Sequence, residues 1–180
     1  MGKNVCIIST SPRKNGNSEE LADEFARGVR EQGNEVEKIT LYDKNINFCI
    51  GCLACQTTCQ CVLKDDANDI IKKMCNSDVL VFASPIYFYE MTGQMKTLLD
   101  RTNPIFPAEY TFSDIYLLAT AADVNESAMD GALKGLQGWI DCFEKARLAG
   151  VVRGTGLDQI GAIKNDTDIL KQAYEMGKSI

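Results

Sequence analysis

"KNVCIISTSPRKNGNSEELADEFARGVREQG", residues Lys3–Gly33, holds a complete strand–loop–helix unit in its pattern. The apolar run over Lys3–Ser9 stops at the polar stretch "TSPRKNGNS", which reads as a buried strand followed by a loop. From Asn17 onward Leu21, Phe25 and Val29 share one helical face, acidic residues fill the first turn, and Gly33 stands just past the end.

The same alternation runs outward from this unit. "EVEKITLYD" (Glu35–Asp43) alternates as a strand, and "DDANDIIKKMCNS" (Asp65–Ser77) reads as a helix opened by an aspartate cap. "DVLVFASPIYF" (Asp78–Phe88) is the most continuously apolar run, as a central strand covered on both faces should be. Next come a helix in "TGQMKTLLDRT" (Thr92–Thr102) and a strand in "DIYLLATAAD" (Asp114–Asp123). A long helix over Glu126–Gly150 follows, with Trp139 and Phe143 on one side. "AGVVRG" (Ala149–Gly154) is the last strand, "GTGLDQIG" (Gly154–Gly161) a loop, and "DILKQAYEMGKSI" (Asp168–Ile180) the last helix. Five strands alternating with helices imply an α/β protein, a parallel sheet with helices on both faces. Such sheets bind ligands beyond the carboxyl ends of their strands. The loops after the first, third and fourth strands are therefore the ones to read for function.

Composition narrows the class. At 180 residues, with 45% hydrophobic and 24% charged residues, the chain is expected to form one soluble domain. No apolar run approaches the roughly 20 residues of a membrane span. The opening "MGKNVC" lacks both a secretory and a myristoylation pattern, so the expected location is cytoplasmic. A net charge of −6 argues against nucleic acid as a partner. Eight cysteines and no histidine point to reduced thiols or thiolate ligands rather than structural disulfides. Cys6, Cys75 and Cys142 lie in apolar, periodic surroundings and read as small buried hydrophobes.

The first of the three loops is rich in hydroxyls and amides and leads straight into a helix. Helix N-termini present unpaired N–H groups and partial positive charge, which suits a phosphate. Ser9, Ser11, Asn17 and Ser18 can add hydrogen bonds, and Arg13 a charge-assisted one. Neither G-x-G-x-x-G nor G-K-[ST] is present in the loop. The S-x-S-x-R-x-x-G-N-S pattern instead resembles the phosphate loop of the NADPH-dependent FMN reductases. "SPIYFYEMTGQMKTLLDR" (Ser84–Arg101) and "YLLATAAD" match that family's next two segments in order.

The resemblance implies a flavodoxin-like, doubly wound sheet of five parallel strands in the order 2-1-3-4-5. It implies one FMN-binding domain over residues 1–180 with a cysteine-rich insertion at about 43–65. Ser9, Ser11, Arg13, Gly16, Asn17 and Ser18 would hold the FMN phosphate. Pro85, Ile86, Tyr87 and Phe88 would lie along the ring, and Thr120, Ala121 and Ala122 would approach its pyrimidine side. Here the chain departs from the family: "ATAADVNESAMDG" replaces a glycine-rich run. Lys96, Asp100 and Arg101 read as a solvated or salt-bridged helix face.

"FCIGCLACQTTCQC" (Phe48–Cys61) carries five of the eight cysteines. Cys49, Cys52, Cys55 and Cys61 are spaced as iron–sulfur ligands can be, with Cys59 as an extra thiol. Free thiols, an all-cysteine zinc site or a disulfide remain alternatives. The run, with "CVLKDD" after it, resembles the compact motif of the iron–sulfur flavoproteins. That likeness implies a [4Fe–4S] cluster near the FMN of a neighbouring subunit, with Cys59 or Cys61 as the fourth ligand.

The expected function is an FMN-dependent oxidoreductase that takes electrons from NAD(P)H and passes them to a quinone-like acceptor or to a cluster. The competing reading is an electron carrier between protein partners such as ferredoxin. No side chain stands out as a general acid or base. A homodimer or homotetramer is expected, with Trp139 or "NPIFPAEYTF" (Asn103–Phe112) as contact surface; that segment equally suits a flap over the flavin.

Overall fold

A computed structural model describes residues 2–180. Five strands form one parallel sheet: β1 (Asn4–Ser9), β2 (Glu35–Thr40), β3 (Val79–Tyr87), β5 (Asp114–Thr120) and β6 (Arg147–Gly154). Their order is β2-β1-β3-β5-β6, while the two-residue β4 (Glu90–Met91) folds back antiparallel onto the end of β3. With that short hairpin set aside, the five parallel strands have the expected 2-1-3-4-5 order. The helices are α1 (Asn17–Glu31), the single turn α2 (Cys55–Thr58), α3 (Ala67–Cys75), α4 (Gly93–Arg101), α5 (Asp130–Ile140) and α6 (Thr167–Lys178).

Side-chain alternation along the strands divides the interior into two layers. Val5, Ile7, Val79 and Val81 face α1 and α6, where Leu21, Phe25, Val29 and Ala173 meet them. Cys6, Ile8, Leu80 and Phe82 face the other way, onto Ile70, Met74, Met95, Leu98 and Leu136 of α3, α4 and α5. The central strands are apolar on both sides because both sides are covered. β2 is an edge strand, and among its residues only Ile39 is buried.

Three local readings change. The long helix after β5 ends at Ile140, because Cys142 and Phe143 donate to Trp139 and Ile140 three residues back and tighten the last turn. The residues from Arg147 then join β5, starting with the Arg147 N–H to the Ser113 carbonyl. Phe143 leaves the helix but still packs 4.8 Å from Trp139, within an aromatic cluster that includes Tyr110 and Phe112. Asp66 does not cap α3: its carboxylate accepts from the Asn45 N–H, and Asp65 takes the Ala67 N–H. Of the three cysteines read as buried, Cys6 is, and burial pushes its thiol up to about 12. Cys75 is half-buried and Cys142 exposed, since the shortened helix turns Cys142 outward. No helix among the described residues is long and apolar enough to cross a membrane.

Helices α1 and α6 approach so closely that each needs a glycine at the crossing. A Cβ on Gly28 would stand 2.2 Å from the Tyr174 carbonyl oxygen, and one on Gly177 would stand 2.2 Å from that of Phe25. Both clashes are with backbone, so relief requires the helices to part. Gly28→Ala and Gly177→Ala are each expected to lower stability by about 1–3 kcal/mol, as overpacked cores do. Urea unfolding checks this; two unchanged midpoints would show that the helices can separate without cost.

Candidate functional site

The carboxyl ends of β1, β3 and β5 converge, and side-chain hydroxyls lock their loops together. The Thr10 N–H and hydroxyl reach the Ala83 carbonyl at 2.8 and 3.1 Å. The Thr92 hydroxyl lies 3.1 Å from Thr10 Oγ1 and accepts the Met95 N–H, so one threonine caps α4 and fastens it to the first loop. The Thr92 N–H in turn donates to Ser84 Oγ.

Between these loops lies a cleft. All but Ser9, Phe88 and Ala121 of the residues expected to contact a flavin line it, namely Ser11, Arg13, Gly16, Asn17, Ser18, Pro85, Ile86, Tyr87, Thr120 and Ala122. Ser9 is instead the last buried residue of β1, in register with Thr40 and Ala83. Ala121 is buried, and its N–H and carbonyl are committed to Gly154 and Leu157. Phe88 is fully exposed at the tip of the β3–β4 hairpin. Phe88 and Tyr89 both have positive φ, 51° and 63°, which is the backbone of a two-residue primed turn built without glycine. The turn therefore throws the Phe88 ring outward. The Tyr89 hydroxyl ties the hairpin to Asp123, at 3.2 Å.

At its polar end the cleft meets the start of α1. Gly16 precedes the helix in extended conformation, and no side chain caps the helix. The backbone N–H groups of Gly16, Asn17 and Ser18 find no acceptor among the described residues. The Ser18 hydroxyl is buried and unpartnered. Buried donors left without acceptors cost free energy unless a ligand supplies them. A Cβ at Gly16 would stand 2.8 Å from Ser11 Oγ, so the loop closes only around glycine. Arg13 is exposed and makes no ion pair among the described residues.

Two of the expected polar side chains are already occupied. The Ser11 hydroxyl turns its own loop by donating to the Arg13 carbonyl and accepting the Arg13 N–H. The Asn17 amide donates to the carbonyls of Leu157 and Gln159 at 3.1 and 2.9 Å and accepts the Ile163 N–H. Asn17 thus draws the loop after β6 into the site, where Leu157, Asp158 and Ile160 form a further wall. In sequence, "GTGLDQIG" shows only the pattern of a loop. Its place depends on bonds spanning more than 140 residues, which no local pattern reveals.

The cysteine loop forms a second site. Cys49, Cys52, Cys55 and Cys61 border one narrow, largely apolar cavity together with Arg101 and Asn103. Cys59 lies elsewhere: in the left-handed conformation that ends α2, it faces a different cleft with Cys75. All eight cysteines are free thiols. Burial raises the Cys55 thiol, with further contributions from the charges of Cys61, Cys52 and Cys49. No group of three or more His, Cys, Asp or Glu side chains among the described residues is close enough to hold one metal ion. A tetrahedral zinc with sulfur at about 2.3 Å needs a tighter set.

Arg101 departs from its expected place. Lys96 and Asp100 do form an exposed pair along α4. Arg101 is buried beneath the cysteine loop, paired in bidentate fashion with Asp65 at 2.7 and 2.9 Å, both side chains being 0% exposed. Burial alone would raise the Asp65 carboxyl; the hydrogen bonds from Arg101 and Asn47 outweigh it and hold that group well below the usual carboxylate range. "NPIFPAEYTF" is not a flap over the cleft at α1. Asn103 and Pro104 border the cysteine cavity, and Ile105 and Phe112 are buried.

A profile of the NADPH-dependent FMN reductases matches residues 4–141. The chain is 42% identical over 101 residues to an iron–sulfur flavoprotein of Methanocaldococcus jannaschii, covering 56% of this chain and 52% of that protein. It is 39% identical over 97 residues to an iron–sulfur flavoprotein of Archaeoglobus fulgidus, covering 54% and 44%. The chain thus spans about half the length of the curated relatives it matches. Its fold is that of the NAD(P)H:quinone oxidoreductase from Methanothermobacter marburgensis, with a TM-score of 0.74, 15% identity, and 99% and 97% of the two chains covered. By the extent of the profile match, this chain belongs to the NADPH-dependent FMN reductase family.

Proposed function

We propose that the chain is an FMN-dependent NAD(P)H oxidoreductase whose cysteine loop carries a [4Fe–4S] cluster. The observation that carries the flavin half is the uncapped start of α1, with its buried, unpartnered Ser18 hydroxyl and free N–H groups. Those donors, the helix dipole and the Arg13 charge suit a phosphate dianion. Pro85, Ile86 and Tyr87 would border one side of the ring, Thr120 and Ala122 another, with Leu157 and Ile160 shielding the site from water. Asn17 acts by holding that last wall in place, its side-chain amide being committed to the loop after β6 rather than to the phosphate.

Bound FMN supplies the chemistry, accepting electrons in pairs from a nicotinamide and releasing them singly or in pairs. The protein contributes position and electrostatics: no histidine is present, and among the described residues the ionisable side chains lining the cleft are Arg13, Tyr87 and Asp158. Cys49, Cys52, Cys55 and Cys61 would hold the cluster, and the iron–sulfur flavoprotein relatives support that assignment. The quinone oxidoreductase fold supports a quinone-like acceptor. The exposed apolar side chains of Phe48, Ile50 and Leu53 beside the cysteines are available to a homodimer or homotetramer contact. Relay of electrons to a partner such as ferredoxin is the rival reading. Stopped-flow mixing separates the two: rapid flavin bleaching by NADPH or NADH favours the enzyme, whereas bleaching by reduced ferredoxin alone favours the carrier.

Purified protein soaked in FMN should emerge yellow from a desalting column, and a colourless fraction overturns the flavin assignment. Ser18→Ala removes a hydrogen bond to a charged group, a loss of about 1.5–3 kcal/mol or roughly tenfold or more in FMN affinity. Riboflavin, which lacks the phosphate, should bind the variant and wild type equally in a fluorescence titration. After anaerobic reconstitution with iron and sulfide, Cys61→Ser should lose iron while Cys59→Ser retains the wild-type content. The reverse result would make Cys59 the ligand.

A further inference from the structure

Arg101 is among the largest fully buried side chains of the protein, and its position follows from no need of the helix that carries it. Its Nη1 donates to Asp65 Oδ2 and to the Asn47 carbonyl, both at 2.7 Å. Its Nη2 donates to Asp65 Oδ1 at 2.9 Å and lies 3.3 Å from Cys61 Sγ. Nε is buried with no partner. One guanidinium thereby grips the chain just before Cys49, at Cys61, and at Asp65 beyond the cysteine run. Asn68 secures Cys61 a second time, by accepting its N–H and donating to its carbonyl, each at 3.2 Å.

Stability is a weak reason for such an arrangement. Burying two charges costs several kcal/mol each, and apolar replacements of matching shape are often as stable or more so. A directed cationic N–H at a ligand sulfur does have a chemical effect. Four thiolates leave an iron–sulfur centre with net negative charge, and one-electron reduction deepens that charge by one. A donor at the sulfur stabilises the reduced form more than the oxidised one and so raises the reduction potential.

We infer that Arg101 is the positioning residue of the cysteine site, seating Cys61 and, through its N–H to that sulfur, holding the cluster's reduction potential above the value it would otherwise have. The inference deepens the cluster reading of the previous section and rests on it.

The test is the midpoint potential of the reconstituted protein, from anaerobic dithionite titration followed by electron paramagnetic resonance. The double variant Asp65→Asn with Arg101→Met removes both charges, leaves the net charge of the chain unchanged and strands no buried ion. Asn68 still holds Cys61 by its N–H and carbonyl, so a cluster is expected to form, in no more than the wild-type amount, with a potential shifted to more negative values. Arg101→Lys keeps the charge but loses the planar fork, and a smaller shift in the same direction is expected. Should the double variant fail to fold, the lysine variant decides alone. Wild-type potentials in the folded variants overturn the inference and leave the cluster reading standing. Wild-type protein that takes up no iron and sulfide overturns both.

Discussion

A helix cannot satisfy its own first N–H groups, and α1 begins without a side-chain cap and with the Ser18 hydroxyl buried and unpartnered. Much of the surrounding structure maintains this condition. The hydroxyls of Thr10 and Thr92 bind the first loop to the end of β3 and to α4. The Asn17 amide, which could have capped the helix or faced a ligand, is spent on the loop after β6. Gly16 gives the loop its tight closure, and the Ser11 hydroxyl shapes the turn. What remains unpaired is a small group of donors at the end of a rigid, doubly covered sheet.

The architecture was legible because each strand and helix states its own period. β1 and β3 are apolar without interruption since both of their faces are covered, and α1 shows its buried stripe through Leu21, Phe25 and Val29. The lining of the cleft was legible where it sits at the carboxyl end of a strand or the start of the following helix, as with Pro85 or Ser18. Phe88 was misplaced because two consecutive left-handed residues reverse the chain there, and neither is a glycine that would have announced the turn. Asp158 and Ile160 escaped notice because a bond from a residue far away in the chain brings them in. Arg101 looked like one more charge on an amphipathic helix; its burial depends on Asp65, which lies in another element.

The cysteine loop shows the same limit in finer detail. Spacing favours Cys61 as the fourth thiol and leaves Cys59 as an extra that could replace it. The backbone separates them: Cys59 closes the short turn α2 in the left-handed conformation and faces away, while Cys61 shares a cavity with Cys49, Cys52 and Cys55. The left-handed residues that shape this loop include Gly51, Leu53 and Cys59, so its form is carried by backbone as much as by side chains. The loop is also held from below, by the Arg101 guanidinium at the Asn47 carbonyl and at Asp65.

Helix α4 joins the two sites mechanically. Its first turn is fixed through Thr92 to Thr10 at the flavin cleft, and its last residue, Arg101, is fixed to the cysteine loop. Nine residues of helix measure about 13 Å. Loops breathe, but a hydrogen-bonded rod anchored at both tips does not change length. Within one subunit the spacing between the first loop and the cysteine loop is thereby set by helical rise.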